Sequence, residues 1–191
     1  MRSILIIASA LLISGCGINS VPTAEEEAKG RWADVENNYQ RRADLIPNLV
    51  ATVQGIADQE REVLTQVTEA RASATQVNLD PGDLTDPAAM QRYQAAQNNL
   101  SGALGRLLVT VERYPEIRSS ENFAMLQQQL EGTENRVAIA RRDYNAAVQA
   151  YNTEVRTFPS LIAARFIYGA EPMQPFEATS AGAEEAPTVE F

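Results

Sequence analysis

Apolar residues recur along most of this chain at alternating steps of three and four, the spacing that lines one side of a packed helix. The longest unbroken series is Phe123, Leu126, Leu130, Thr133, Val137, Ala140, Tyr144, Ala147 and Tyr151. It predicts a helix from about Ser120 to Thr157, stopped by Phe158-Pro159, which at 1.5 Å per residue would exceed about 50 Å in length. An earlier series, Ala28, Trp32, Val35, Tyr39, Arg42 and Ile46, predicts a first helix from about Thr23 to Leu45. Proline is a good first residue and a poor interior one, so a break is expected at Ile46-Pro47 and a second helix from Pro47 to Gln76. The turn chemistry of residues 78–83 marks a loop. Asp86-Pro87 opens a third helix, running to about Arg113, and Leu161 to Tyr168 reads as a short closing helix.

These elements predict an all-α fold, an antiparallel up-and-down four-helix bundle of long helices with a short C-terminal helix and a disordered tail. The expected organisation is a signal peptide over 1–15, a tether over 16–22, the bundle over 23–168 and a flexible tail over 169–191. The tail is dominated by Pro, Glu and Ala, a composition that builds no core.

The N-terminus changes this picture from a free domain to an anchored one. Arg2 precedes a nearly continuous apolar run from Ser3 to Ile13, followed by Ser14, Gly15 and the only cysteine, Cys16. The run falls short of the roughly 20 residues that span a bilayer but suits the apolar region of a signal peptide. Small residues before a cysteine form a bacterial lipoprotein signal, so Cys16 is expected to be acylated with palmitate-type chains and to hold the protein on the membrane. Basic Arg2 before the run and Glu25, Glu26 and Glu27 after it place the bundle outside the cytoplasm. In a Gram-negative cell, Gly17 after the cysteine favours the outer membrane.

Charge and residue types then exclude functions. The net charge is −9 and Lys29 is the only lysine, so no basic stripe is available for a nucleic-acid backbone. The chain has no histidine, which removes the usual neutral-pH base and the commonest transition-metal ligand. With Cys16 acylated there is no free thiol, so no enzymatic activity and no cofactor are expected.

Two long strings, VENNYQRRADLIPNLVATVQGIADQE (35–60) and RYPEIRSSENFAMLQQQLEGTENRVAIARRDYNAAVQAYNTEVRTFP (113–159), closely resemble the LemA family. So does the ending FEAT…EEAPTVEF (176–191). The resemblance covers nearly all of the chain after the tether. It implies a membrane-associated helical bundle with no established enzymatic activity. Members typically begin with an uncleaved transmembrane helix, from which the lipoprotein signal here departs.

Three constellations remain. Arg42 and Thr133 stand on predicted helix seams, flanked by Asp44 and Asn48 on one side and by Glu131, Glu134, Asn135 and Arg142 on the other. A buried arginine requires carboxylate or amide partners; the set is either a polar layer that fixes helix register or a pocket for a small ligand between the helices. Tyr39, Tyr144 and Tyr151 follow seam spacing, as core aromatics or as a stacking platform. Val189-Glu190-Phe191 ends the chain with an apolar residue and a free carboxylate, the form that PDZ domains capture; the alternative is a tail that is disordered or packs Phe176 and Phe191 on its own bundle. The expected partners are therefore the membrane, through Cys16, an envelope protein with a PDZ domain, and further copies of the chain.

Overall fold

The structure, a computed structural model, describes residues 18–55 and 60–177. It is all-helical, with no strand among the described residues. The elements are α1 (Ser20–Thr52), α2 (Arg61–Gln76), α3 (Pro87–Val111), the short α4 (Pro115–Arg118), α5 (Glu121–Arg156) and the short α6 (Ser160–Ala163). A five-residue 3-10 turn, Pro81–Thr85, enters α3, and a π-turn, Ala164–Tyr168, continues α6.

The local signals that set helix starts act as expected. The Asp86 carboxylate accepts from the Ala88 N–H at 2.8 Å, and Ser120 Oγ accepts from the Phe123 N–H at 3.2 Å, so α3 and α5 begin where their caps stand. Gly169 ends the π-turn in the left-handed conformation, with φ 58°, which a residue with a side chain adopts only under strain.

Pro47 does not break the first helix. It lies inside α1, which runs on to Thr52, and the turn before α2 falls at residues 53–55. An interior proline has no N–H for the carbonyl four residues earlier, here that of Ala43. That carbonyl is occupied instead by Arg71 of α2, whose Nε donates to it at 2.8 Å. The missing donor thus comes from a neighbouring helix. Gly102 and Gly105 face solvent on α3, with only the Arg106 side chain near Gly102 and nothing near Gly105, so neither serves a close helix approach.

α1 packs chiefly against α5, and α2 chiefly against α3. In the first pair Ser20 meets Glu154 and Arg42 meets Glu134. In the second Glu60, just before α2, meets Arg113, and Ala74 meets Gln97. Partners advance in opposite directions, so each pair is antiparallel. The buried apolar residues divide into two clusters. One gathers Val21 to Tyr39 of α1 with Val137 to Val155 of α5 and Met90 and Tyr93 of α3. The other gathers Ile46 to Val53 with Phe123 to Leu130 and Leu100 to Val111.

Residues 170–177 depart from the expected flexible tail. They lack regular secondary structure, yet they lie along the helices with Met173 and Phe176 buried. Asn152 exchanges two hydrogen bonds with the Met173 backbone, both at 2.9 Å, and Asn145 does the same with Phe176 at 3.0 and 2.8 Å. Tyr144 and Tyr151 hydroxyls donate to the carbonyls of Gln174 and Glu171. Ser20 to Pro22, expected as part of the tether, open α1, and Val21 is buried.

Candidate functional site

Between the two apolar clusters lies a polar layer centred on Arg42. The seam spacing of α1 directs its side chain inward, where it is 1% exposed. Nη1 donates to Glu134 Oε1 of α5 at 2.9 Å and to Ser101 Oγ of α3 at 2.8 Å. Nη2 donates to the Gln97 side-chain oxygen at 2.6 Å and to its carbonyl at 3.3 Å. The Gln97 amide in turn donates to the Ala74 carbonyl of α2 at 3.3 Å. One guanidinium therefore links three helices directly and reaches the fourth through Gln97. Arg42 Nε has no acceptor; the guanidinium lies 4.8 Å from the centre of the Tyr39 ring, whose π face favours a cation.

The residues expected around Arg42 separate. Glu134 is its ion-pair partner, with a carboxylate that remains about half exposed. Thr133 is buried and returns its hydroxyl to the Gln129 carbonyl, one turn back on α5. Asp44, Asn48, Glu131, Asn135 and Arg142 face solvent. Asp44 accepts from Gln40, Glu131 from Gln127, and Arg142 pairs with Asp143, each on its own helix. They lie on neighbouring helix faces, turned away from the seam. Gln97 and Ser101, which complete the layer, were not among the expected residues. Gln97 stands four residues after Tyr93 and three before Leu100, a seam register that marks it in the sequence.

The tyrosines of the seam are core residues. Trp32 is packed by Tyr93, Tyr144 and Phe176, with ring centres 5.1, 5.4 and 5.8 Å away. Burial raises the hydroxyl pKa of Tyr39, Tyr93, Tyr144 and Tyr151, so each stays protonated at neutral pH. Beside the layer, an open cleft of about 270 Å³ is lined by Glu36, Tyr39, Tyr93 and Gln97 together with Val77 and Asn78. Burial also raises the pKa of Glu36.

No group of three or more Cys, Asp or Glu side chains suited to a metal ion occurs among the described residues. Among them, too, no helix is long and apolar enough to cross a membrane. Cys16 and Val189-Glu190-Phe191 lie outside the described residues.

Long helices paired lengthwise, a core split by a guanidinium layer and a C-terminal strap define an all-helical domain. The chain belongs to the LemA family, which it matches over residues 31–191. It is 29% identical over 180 residues to magnetosome protein MamQ 2 of Paramagnetospirillum magneticum, covering 86% of this chain and 66% of that protein. It is 27% identical over 157 residues to MamQ of Magnetospirillum gryphiswaldense, covering 74% and 58%. Protein LemA of Metamycoplasma hominis is 19% identical over 140 residues, covering 73% and 60%. The chain thus spans about two thirds or less of the length of these relatives.

Proposed function

We propose that this protein is a non-catalytic helical lipoprotein of the bacterial envelope, tethered through acylated Cys16 and acting by protein–protein contact. The observation that carries the reading is the internal pairing of the polar layer. Arg42, the one charged side chain buried among the described residues, has both terminal nitrogens bonded to Glu134, Ser101 and Gln97 of its own chain. Its task is then helix register, and the outer helix faces are left as the working surface. In this reading the four long helices close into an up-and-down antiparallel bundle on the extracytoplasmic side. Copies tethered to one membrane associate laterally because tethering raises their effective concentration. Val189-Glu190-Phe191 serves as a docking peptide for a PDZ-bearing envelope protein.

Crosslinking and pull-down from envelope fractions test each part. The wild type is compared with Cys16→Ser and with a deletion of Pro187 to Phe191. A wild type that captures no specific protein ends the contact reading. A partner set unchanged by the deletion ends the tail-docking part, and an unmodified Cys16 in the membrane fraction ends the acyl tether.

A second reading, a small ligand held between the helices, is favoured by the cleft at Glu36, Tyr39, Tyr93 and Gln97. Native mass spectrometry of protein extracted from membranes decides it. A bound small molecule lost in Gln97→Leu supports the ligand; a wild type of unliganded mass rules against it.

A further inference from the structure

Exposed large apolar side chains stand singly at Val109, Met125 and Ile139, which is ordinary for a helical surface. The segment after α5 is different. Of the ten such residues described, six fall between 158 and 168: Phe158, Leu161, Ile162, Phe166, Ile167 and Tyr168. Phe158 is 78% exposed and Phe166 79%. Six exposed apolar side chains on one eleven-residue segment form a ridge of the kind that marks an interaction surface.

The ridge is held outward by its own architecture. Ser160, Ala163 and Ala164 turn inward and are buried. Ser160 Oγ lies 2.8 Å from the Glu154 carbonyl, and Gly169 closes the turn with the Ala170 N–H on the Ala164 carbonyl at 2.9 Å. Small residues face the helices, and large ones face out.

Position and charge indicate what covers it. α6 packs against α1 as well as α5, Ala164 shares a core cluster with Val21, and Ser20 bonds Glu154 at 2.7 Å. The ridge therefore stands at the end of the molecule where α1 begins, four residues after Cys16. In a chain of net charge −9, residues 155–170 carry Arg156 and Arg165 and no acidic residue. Aromatic and aliphatic side chains flanked by arginine suit the boundary between lipid headgroups and acyl chains.

We infer that this ridge is a membrane-docking surface whose occupant is a lipid bilayer. Phe158, Ile162, Phe166 and Ile167 enter the acyl boundary, and Arg156 and Arg165 meet lipid phosphates. The inference rests on the tether reading to the extent that the N-terminal end is held at a membrane. It adds a second point of attachment, which fixes the orientation of the paired α1 and α5 relative to the membrane.

Depth-dependent quenching tests it on the full chain reconstituted in vesicles containing anionic lipid and brominated acyl chains. Trp32 is the only tryptophan and is buried, so the wild type supplies the background. Phe166→Trp, a change at an exposed position, is expected to emit at shorter wavelength and to be quenched roughly twofold or more, as for a side chain about 5–10 Å inside the boundary. Phe158→Trp should behave alike, and Met125→Trp, far along α5, should be unaffected. Absence of quenching at 166 and 158 overturns the inference. A blue shift without quenching means that protein covers the ridge, and equal quenching at 125 means that no particular face docks; either also overturns it. The same comparison in Cys16→Ser, which keeps the apolar run before residue 16 at the membrane, reads docking apart from acylation. The mass of the wild-type N-terminal peptide reads the acyl tether separately.

Discussion

The bond between Arg71 and the Ala43 carbonyl gives Pro47 a measurable signature. An interior proline costs about 3 kcal/mol or more, through the lost hydrogen bond and the clash of its ring with the preceding turn. Here the first of these is offset, because Arg71 Nε donates at 2.8 Å to the carbonyl left open, on a residue that is 3% exposed. A hydrogen bond from a charged donor contributes about 1.5–3 kcal/mol net, and partial exposure of Arg71 places it at the lower end. Arg71→Met, which keeps much of the apolar stem, should therefore destabilise the protein by about 1.5 kcal/mol, or lower Tm by about 3–6 °C. In Pro47→Ala the restored N–H takes the Ala43 carbonyl itself, so the same change should cost less than about 0.5 kcal/mol, a coupling of about 1 kcal/mol. Urea unfolding followed by far-UV circular dichroism and Trp32 fluorescence measures all four proteins of the cycle. Equal losses in the two backgrounds would refute the compensation, and a destabilising Pro47→Ala would show that the proline fits α1 for another reason.

Three further outcomes follow from the structure. Glu134→Ala leaves Arg42 buried with neutral partners only and should cost about 2 kcal/mol in urea unfolding, below the 3–5 kcal/mol of a fully buried pair because the carboxylate is half exposed; a loss within error of zero removes the ion pair from the register argument. Asn145→Ala and Asn152→Ala each remove two hydrogen bonds to the strap, so hydrogen exchange at the Phe176 and Met173 amides should accelerate at least about fivefold, equivalent to about 1 kcal/mol of local stability; unchanged exchange would show that burial of Phe176 alone holds the strap. Burial raises the Glu36 pKa above 4.5 in the folded state, so folding binds a proton there and this group's contribution to stability falls as pH rises from 4.5 through the raised value; Glu36→Gln should stabilise the protein at neutral pH and lose that advantage below about pH 4.5, and a difference independent of pH would refute the assignment.

The parts of the fold legible in the sequence are those whose cause is local. Asp86 and Ser120 cap their own helices, and the unbroken seam from Phe123 to Tyr151 needs no partner to declare a helix. Pro47 misleads because the donor that accommodates it, Arg71, lies on another helix. The strap misleads in a similar way. Residues 170–177 offer only two large apolar side chains, Met173 and Phe176, with no periodicity to declare an element, and Asn145 and Asn152 look like solvated positions of α5 until the chain returns to them. At the polar layer, seam spacing marks Arg42 and Thr133, and proximity in sequence marks Glu134. Proximity marks Asp44, Asn48, Glu131, Asn135 and Arg142 equally, because it does not separate adjacent faces of one helix. Gln97, a polar residue on an otherwise apolar seam, shows in the sequence only through its register with Tyr93 and Leu100.

The position of the layer explains why a charged residue is kept in this core. A long seam that is apolar throughout pairs nearly as well after one partner slides by a heptad, since the same residue types meet again. Arg42 removes that degeneracy for α1 and α5. A slide of seven residues would replace Glu134 opposite Arg42 by Gln127 in one direction and by Arg141 in the other. The first leaves a buried guanidinium without a counter-charge, at the same cost of about 2 kcal/mol, and the second sets two cations together, which costs more. Gln97 and Ser101 extend the constraint to α3, and the Gln97 amide extends it to α2 through Ala74. Nearer the start of α1, the strap binds across both helix pairs: Gln174 reaches the carbonyls of Leu84 and Thr85 before α3, while Asn145 and Asn152 of α5 hold its backbone. The two helix pairs, each apolar along its own seam, are thus joined in one register by polar contacts at two heights, and that fixed register determines which side chains the outer faces present.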